Sequence, residues 1–221
     1  GTRLLIRSTK KIELTEAGIT LLPYAAKSIA LVKETDNAMA SHTHMLQDRL
    51  QLGSSLTIGE YFLPRLLGPF GQQYPHISIM MKVMNTTQII EEITKHQLNF
   101  GLIEATIHHP DMVIDPVMQD ELKLIVPIGH PLAERESVEL EEVLAYPFVL
   151  REKGSGTRQV MESVLIHKGI DPQSLQTAME LGSTGAVKSA VEAGFGITML
   201  SPASVKHETA LNLLKIIPIR N

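Results

Sequence analysis

The chain of 221 residues contains no cysteine and no tryptophan, and it has only four Tyr and five Phe. Without cysteine, disulfide bonds, thiolate zinc sites and cysteine nucleophiles are excluded, and a reducing compartment suits the protein. So few aromatic rings leave little material for platforms that stack unpaired bases or sugars. No apolar run has the length of a membrane span, and the first residues lack the order of a signal peptide. We therefore expect a cytoplasmic protein with no membrane partner.

The chain has the composition of a globular protein, 43% hydrophobic and 20% charged, which is enough for one large domain or two small ones. Its net charge of -4 argues against a protein that coats nucleic acid with its whole surface. The first twelve residues nevertheless carry Arg3, Arg7, Lys10 and Lys11 and no acid. This segment is either a basic arm that contacts DNA or simply a solvated terminus.

A long helix is predicted from Thr15 to about Met45, because Thr15 and Glu16 are a typical cap and first-turn acid. Along it, mostly apolar residues recur at alternating spacings of three and four, which is typical of a seam between two paired helices. We expect this helix to dimerise, with packing inside one monomer as the alternative. The seam consists of Leu22, Ala25, Ile29, Val32, Asp36 and Met39.

After Asp48, short apolar runs of strand length alternate with helical periods, which predicts an α/β fold. We expect one or two open, mostly parallel sheets covered by helices on both faces. Pro64 should kink or break the first helix because it removes a backbone donor. Strands are predicted near 50–53, 77–83, 100–103, 122–126, 148–150, 178–181, 197–200 and 213–217, and helices near 57–73, 87–96, 156–167 and 185–193.

Three turns between a strand and a helix contain glycine, serine and threonine, at residues 53–57, 154–157 and 182–185. We call them the first, second and third hydroxyl turns. Free N–H groups and a capping hydroxyl at the positive end of a helix can bind a carboxylate, phosphate or sulfate. One such turn is usually only a cap, but the carboxyl ends of strands line the ligand crevice in open α/β sheets. The three turns could therefore converge on one cleft.

Charged residues adjoin this predicted cleft. Glu104 follows a strand and could accept a hydrogen bond from a ligand ammonium or hydroxyl group, or it is a solvated loop acid. Arg151, Lys153 and Arg158 flank the second hydroxyl turn and could balance an anion or be surface charges, the latter being favoured for Lys153.

Motifs of common enzymes are absent from the sequence. The histidines do not follow the metalloprotease spacing, and there is no phosphate loop, no G-x-S-x-G elbow and no intact dinucleotide fingerprint. Gly194-Phe195-Gly196 lies between a helix and a strand, so a helix cap explains it better. We expect a protein that is not an enzyme and that needs no metal or cofactor.

Several motifs make the chain similar to a known family. Residues 2–7 (TRLLIR) and 12–18 (IELTEAG) resemble the junction between the winged helix-turn-helix and the linker helix of LysR-type transcriptional regulators. The resemblance extends over nearly the whole chain, most closely to regulators of sulfur and cysteine metabolism or of carbon fixation. The further matching motifs are Leu63-Pro64 with Leu66-Leu67, Tyr74-Pro75, residues 130–133 (HPLA) and residues 191–197 (VEAGFGI).

The resemblance implies a DNA-binding domain, a dimerising linker helix and a two-lobed effector domain of the periplasmic-binding-protein-like type II fold. The family's recognition helix should lie upstream of Gly1, so we expect the chain to be a piece of a longer protein. Arg3, Arg7 and Lys10 would contact DNA phosphates, which adds affinity without reading the bases. The implied divisions are a helix-turn-helix remnant in 1–14, a linker helix in 15–46, lobe I in 48–127 and 201–221, and lobe II in 128–200.

The resemblance also implies that a small, anionic effector binds between the lobes and controls DNA binding and transcription by a homodimer or homotetramer. Two other hypotheses stay open: a solute-binding protein of a transporter, and an enzyme with a two-lobed cleft. The implied effector-binding residues are Ser54, Ser55 and Thr57 from the first hydroxyl turn, Glu104, Ser155 and Thr157 from the second turn, and Ser183 and Thr184 from the third.

Overall fold

A computed structural model describes residues 1–7, 11–40 and 49–220 of the chain. These residues form two compact units, Gly1–Asp48 and Arg49–Asn221, which are described separately below. No helix in the described ranges is both long and apolar enough to cross a membrane.

The first unit is a short hairpin followed by one long helix. Strands β1 (Leu5–Arg7) and β2 (Ile12–Leu14) pair antiparallel, and helix α1 spans Glu16–Ala40. Thr15 connects them, because its hydroxyl accepts a hydrogen bond from the Gly18 amide at 3.0 Å and donates one to the Arg3 carbonyl at 2.7 Å. The predicted cap at Thr15 is therefore present. The predicted end of the helix, near residue 45, lies outside the described residues.

A parallel sheet begins the larger unit. It contains β3 (Arg49–Ser54), β4 (Ser78–Val83) and β5 (Phe100–Leu102) in the order β4-β3-β5. One π-helical turn, Ile58–Phe62, precedes helix α2 (Leu63–Gln73), and helix α3 spans Thr86–Thr94. The break predicted at Pro64 is confirmed: the proline lies in the first turn of α2, where its missing N–H group is least costly.

A second sheet of the larger unit is antiparallel, in contrast to the mostly parallel sheets expected from the sequence. It contains β6 (Lys123–Pro127), β9 (Thr198–Leu200) and β10 (Leu214–Ile217) in the order β10-β6-β9. Both outer strands, β9 and β10, run antiparallel to β6 and therefore parallel to each other. A crossover made of a 3₁₀ turn (Pro202–Val205) and the short helix α7 (Lys206–Ala210) connects β9 to β10. The predicted lobe limits at residues 127 and 200 fall at the ends of β6 and β9, so this sheet contains strands from both predicted lobes.

The remaining strands, β7 (Phe148–Arg151) and β8 (Thr177–Leu181), pair parallel. Helices α4 (Leu140–Leu144), α5 (Gly156–His167) and α6 (Thr184–Glu192) complete the unit. The largest core joins Phe148 of β7 and Met161 of α5 to Leu124 of β6 and Ile217 of β10. By this packing, β6 and β10 share a core with β7 and α5, so β10 packs with the part of the chain that was predicted to form lobe II.

Candidate ligand-binding site

The first hydroxyl turn follows β3, the central strand of the parallel sheet. The Ser55 amide donates to the Leu102 carbonyl of β5 at 2.9 Å, which fixes the turn against the neighbouring strand end. Ser54, Ser55 and Thr57 are each at most 2% exposed. The Ser54 hydroxyl donates to the Ser55 carbonyl at 3.2 Å and lies beneath Gly59, so it is engaged within the turn.

The second hydroxyl turn connects β7 to α5. Gly154 has a φ of +90°, a conformation that favours glycine, and Ser155 and Thr157 are buried. Ser155 occupies the cap position of α5, and Thr57 the cap position of the π-helical turn, but neither hydroxyl makes a capping bond within the described ranges. Their hydroxyl groups are therefore not consumed by the backbone of their own helices.

These first two turns meet. The Thr57 and Thr157 hydroxyl oxygens are 3.5 Å apart, and the Thr157 hydroxyl donates to Glu104 Oε1 at 3.4 Å. Gly156 allows the approach, because a Cβ atom there would stand 2.6 Å from Glu104 Oε2 and 2.7 Å from Thr86 Oγ1. We call the space bounded by Thr57, Thr86, Glu104 and Thr157 the hydroxyl gap.

Thr86 is a residue of this site that the sequence analysis missed. It is fully buried at the start of α3, and its hydroxyl faces Gly156 of the second turn. Within the described part of the chain, neither the Thr86 nor the Ser55 hydroxyl has a hydrogen-bond partner. The signal was present, since Asn85 is a typical helix cap directly after β4, and it forms a capping box with Gln88. Without glycine, this turn did not match the pattern of the other three.

The third hydroxyl turn contacts charged side chains rather than the threonines of the gap. Ser183 caps α6 by accepting from the Ala186 amide at 3.1 Å, so it behaves as an ordinary cap. Thr184 accepts from Arg151 NH1 at 2.9 Å, and Arg151 also binds both carboxylate oxygens of Glu152, at 2.8 and 2.9 Å. The structure thus places Thr184 against Arg151, whereas it brings Thr57, Glu104 and Thr157 together directly.

The three basic residues near the second turn differ in their surroundings. Arg151 is only 4% exposed, and its salt bridge with Glu152 leaves it balanced by an internal carboxylate. Arg158 pairs with Glu162 at 2.7 Å and with Glu180 at 2.5 Å. Burial alone would lower the pKa of Arg158, but its hydrogen bonds to these two glutamates outweigh burial and raise the pKa. Lys153 is exposed, as predicted.

A buried lysine lies on the far side of the first turn. Lys188 of α6 donates to Glu208 at 2.5 Å and to the Ser204 carbonyl at 2.8 Å, and it lies 5.1 Å from the centre of the Tyr61 ring. Burial opposes the charge of both members of the pair, yet their mutual hydrogen bond prevails. The pKa of Lys188 is therefore raised, and the pKa of Glu208 is lowered.

Two open clefts lie beside the hydroxyl gap without including its threonines. One, of about 650 Å³, is bordered by Glu60, Glu91, Glu92 and Glu152. The other, of about 940 Å³, adjoins Lys153 and Arg158. Because Ser55, Thr57, Thr86 and Thr157 are almost completely buried, the hydroxyl gap is closed to solvent in this arrangement of the chain.

The residues expected to contact DNA or a second copy lie in the first unit. Arg3 is exposed, whereas Lys10 and the side chain of Arg7 lie outside the described positions. On α1, Leu22, Ile29 and Val32 are more than half exposed and Ala25 is half-buried. The side chains of Asp36 and Met39 lie outside the described positions.

Comparisons with known proteins agree on one family. The LysR substrate binding domain matches residues 44–221. A probable RuBisCO transcriptional regulator of Cyanidioschyzon merolae is 36% identical over 98% of this chain and 72% of its own length. The HTH-type transcriptional regulator CysL of Bacillus subtilis is 33% identical over 100% of this chain and 73% of its own length. The chain spans 64 to 73% of the length of such relatives.

A solved structure supports the same conclusion. The regulatory domain of Synechocystis PCC6803 CcmR, in complex with 2-PG, is 32% identical and has a TM-score of 0.70 over 78% of this chain and 81% of its own. The family match covers the α/β unit that carries the hydroxyl turns, and the relatives are transcriptional regulators, which decides against the transporter hypothesis. The chain therefore belongs to the LysR-type transcriptional regulators, and it contains their effector-binding domain of periplasmic-binding-protein-like fold.

Proposed function

We propose that this chain is the effector-sensing and self-associating portion of its regulator, and that it binds a small anionic metabolite in the hydroxyl gap. The observation that carries the proposal is that the Thr57 and Thr157 hydroxyl oxygens lie 3.5 Å apart, together with a buried Thr86 hydroxyl that has no hydrogen-bond partner among the described residues. Ser54, Ser155, Ser183 and Thr184 belong to the same turns and adjoin the gap in this proposal. The relative that binds 2-PG supports a small-molecule effector for this fold.

The energetic argument rests on the buried hydroxyl groups. A buried polar group without a partner costs about 1 to 3 kcal/mol, and Ser55 and Thr86 both have such a group in the described structure. An oxyanion between the first and second turns would accept hydrogen bonds from these hydroxyls and from the N–H groups at the start of α5. Binding would therefore relieve a cost that the closed, ligand-free chain carries.

Regulation follows if the effector prefers one arrangement of the two turns over another. A ligand with equal affinity for both arrangements would shift nothing. In this proposal the effector binds when the two turns have separated enough to admit an oxyanion, and it stabilises that open arrangement. A homodimer or homotetramer then transmits the change to the DNA-binding domains. The exposed stripe on α1 supports self-association, and Arg3, Arg7 and Lys10 would add contacts to DNA phosphates. The role is regulatory, and no catalytic step is part of it.

Isothermal titration calorimetry tests the site. The ligands are acetylserine, sulfate, thiosulfate, phosphosugars, dicarboxylates and 2-PG, and the variants are Ser55→Ala, Thr57→Ala and Thr157→Val. Removal of one ligand-binding hydroxyl should weaken binding about tenfold. Ser163→Ala, on the exposed face of α5, is the matched control and should bind as the parent chain does. Equal affinity in all four variants would show that the ligand binds elsewhere.

A further inference from the structure

Among the residues that the structure describes, Glu104 is the charged residue that contacts the threonines of the hydroxyl gap. It follows β5 and is half-buried, with Oε1 accepting from the Thr157 hydroxyl at 3.4 Å. Its other oxygen, Oε2, faces Gly156 of the second turn. Across residues 1–7, 11–40 and 49–220, no lysine, arginine or histidine forms a salt bridge with Glu104.

The buried cations of the described residues, Arg151 and Lys188, do not compensate this carboxylate, because both already have an acidic partner. Arg151 holds Glu152 through two hydrogen bonds, and Lys188 holds Glu208. Both basic residues are at most 8% exposed, so they are held in these pairs. An anion that enters the gap therefore meets the hydroxyls of Thr57, Thr86 and Thr157 together with an unbalanced negative charge.

This arrangement places a requirement on the ligand. A carboxylate accepts hydrogen bonds and donates none, and two anionic oxygens at contact distance repel each other unless a proton lies between them. Hydrogen phosphate brings such a proton at neutral pH. Sulfate has the same tetrahedral shape and size but carries none.

Resting on the binding site proposed above, we propose that Glu104 is a specificity-determining residue: it makes the hydroxyl gap select oxyanions that carry their own O–H group and reject fully deprotonated ones. Thr57, Thr86 and Thr157 supply hydroxyls that adjust to either kind of anion, since a hydroxyl both donates and accepts. Discrimination is therefore the task of Glu104. The effector class is a hydrogen-bearing phosphate or a similar protonated oxyanion.

The test compares inorganic phosphate with sulfate at pH 7 by titration calorimetry, on the chain as it stands. The parent chain should bind phosphate about tenfold or more tightly than sulfate, because a site built to accept a ligand proton leaves a buried acceptor unpaired with the other ion. Glu104→Gln should bring the two affinities close together, since the new amide can donate to sulfate. Glu141→Gln, an exposed acid on α4, removes the same charge and should keep the parent preference.

Each other result overturns the inference. The inference fails if the parent chain does not bind phosphate, or binds it no more tightly than sulfate. This comparison uses the parent chain alone, so it does not depend on the folding of a variant. The inference also fails if Glu104→Gln keeps the preference of the parent chain for phosphate over sulfate. Thr157→Val separates this inference from the site itself: if Thr157→Val weakens both ions but the parent chain shows no preference, the site stands and the role of Glu104 fails. If Thr157→Val changes neither ion, the proposed site fails as well.

Discussion

Replacement of Gly156 by alanine tests whether the effector binds in the hydroxyl gap, against the start of α5. The added Cβ would stand 2.6 Å from Glu104 Oε2 and 2.7 Å from Thr86 Oγ1, about 0.7 to 0.8 Å inside ordinary contact. The Glu104 carboxylate can swing away, but Thr86 is short and fully buried. Overpacking of this kind costs about 1 to 3 kcal/mol. An effector that reaches the N–H groups at the start of α5 would meet the same methyl group, so its affinity should drop by a similar free energy, roughly 5- to 150-fold.

The position is well suited to this test because Gly156 starts a helix. Its backbone does not require glycine, since Gly154 and not Gly156 has the positive φ in this turn. Alanine also favours helices by up to about 1 kcal/mol, so the fold should not suffer in the open arrangement. Gly71→Ala is the control, because Gly71 lies in helix α2, outside the hydroxyl turns, and a Cβ there meets nothing within 4 Å.

The assay is titration calorimetry with the tightest ligand of the effector panel, together with thermal unfolding of the free chain. We expect Gly156→Ala to lose affinity while Gly71→Ala binds like the parent chain. If both variants bind as tightly as the parent chain, the effector does not bind against Gly156, and the hydroxyl gap loses its proposed role.

Three further predictions concern other parts of the chain. Thr15→Ala should destabilise the start of α1 by about 1 kcal/mol through loss of its cap, which amide hydrogen exchange would detect as faster exchange there. Ile29→Glu combined with Val32→Glu should reduce self-association, because it places unpaired charge in the seam; an unchanged mass by light scattering would contradict this. Lys188→Met should cost about 3 kcal/mol by leaving Glu208 unpaired, measured by denaturant unfolding. Because the pKa of Glu208 is lowered in the folded chain, its ionised form stabilises the fold fully above the ordinary pKa of glutamate, and this stabilisation is lost as the pH falls through the lowered pKa. The difference in the free energy of unfolding between the parent chain and Lys188→Met should therefore become smaller at acid pH.

The strands of the larger unit were predictable because their apolar runs are short and bounded by turn residues. The run predicted at 122–126 is β6, Lys123–Pro127, and the run at 148–150 is β7, Phe148–Arg151. The five-residue helix α4 was missed, since it is too short to show a helical period. The direction of pairing was also hidden: β10 has the same apolar pattern whether it runs parallel or antiparallel to β6, and the connection after β9 decides it.

Burial of charge was the least predictable feature of the site. Arg151 and Lys188 carry no local signal of burial, because each is made tolerable by a partner, Glu152 or Glu208. Glu208 is twenty residues from Lys188 in the chain. Only the packed structure shows that both cations already have an acidic partner. Neither of them is therefore available to balance the charge of Glu104.

The hydroxyl turns show why a capping motif alone does not distinguish a cap from a ligand contact. Ser183 and Ser155 occupy the same position before a helix, yet Ser183 caps α6 and Ser155 makes no capping bond to α5 in the described structure. A hydroxyl that caps its own helix is held in place by the hydrogen bond that it accepts and keeps its O–H group to donate, whereas one that does not cap must find another partner or remain unsatisfied. The difference arises where another element approaches: the Thr87 amide donates to the Gly154 carbonyl at 3.4 Å, and Thr86 and Glu104 face Gly156. Contacts between segments far apart in the chain therefore determine which of the similar turns can bind an effector.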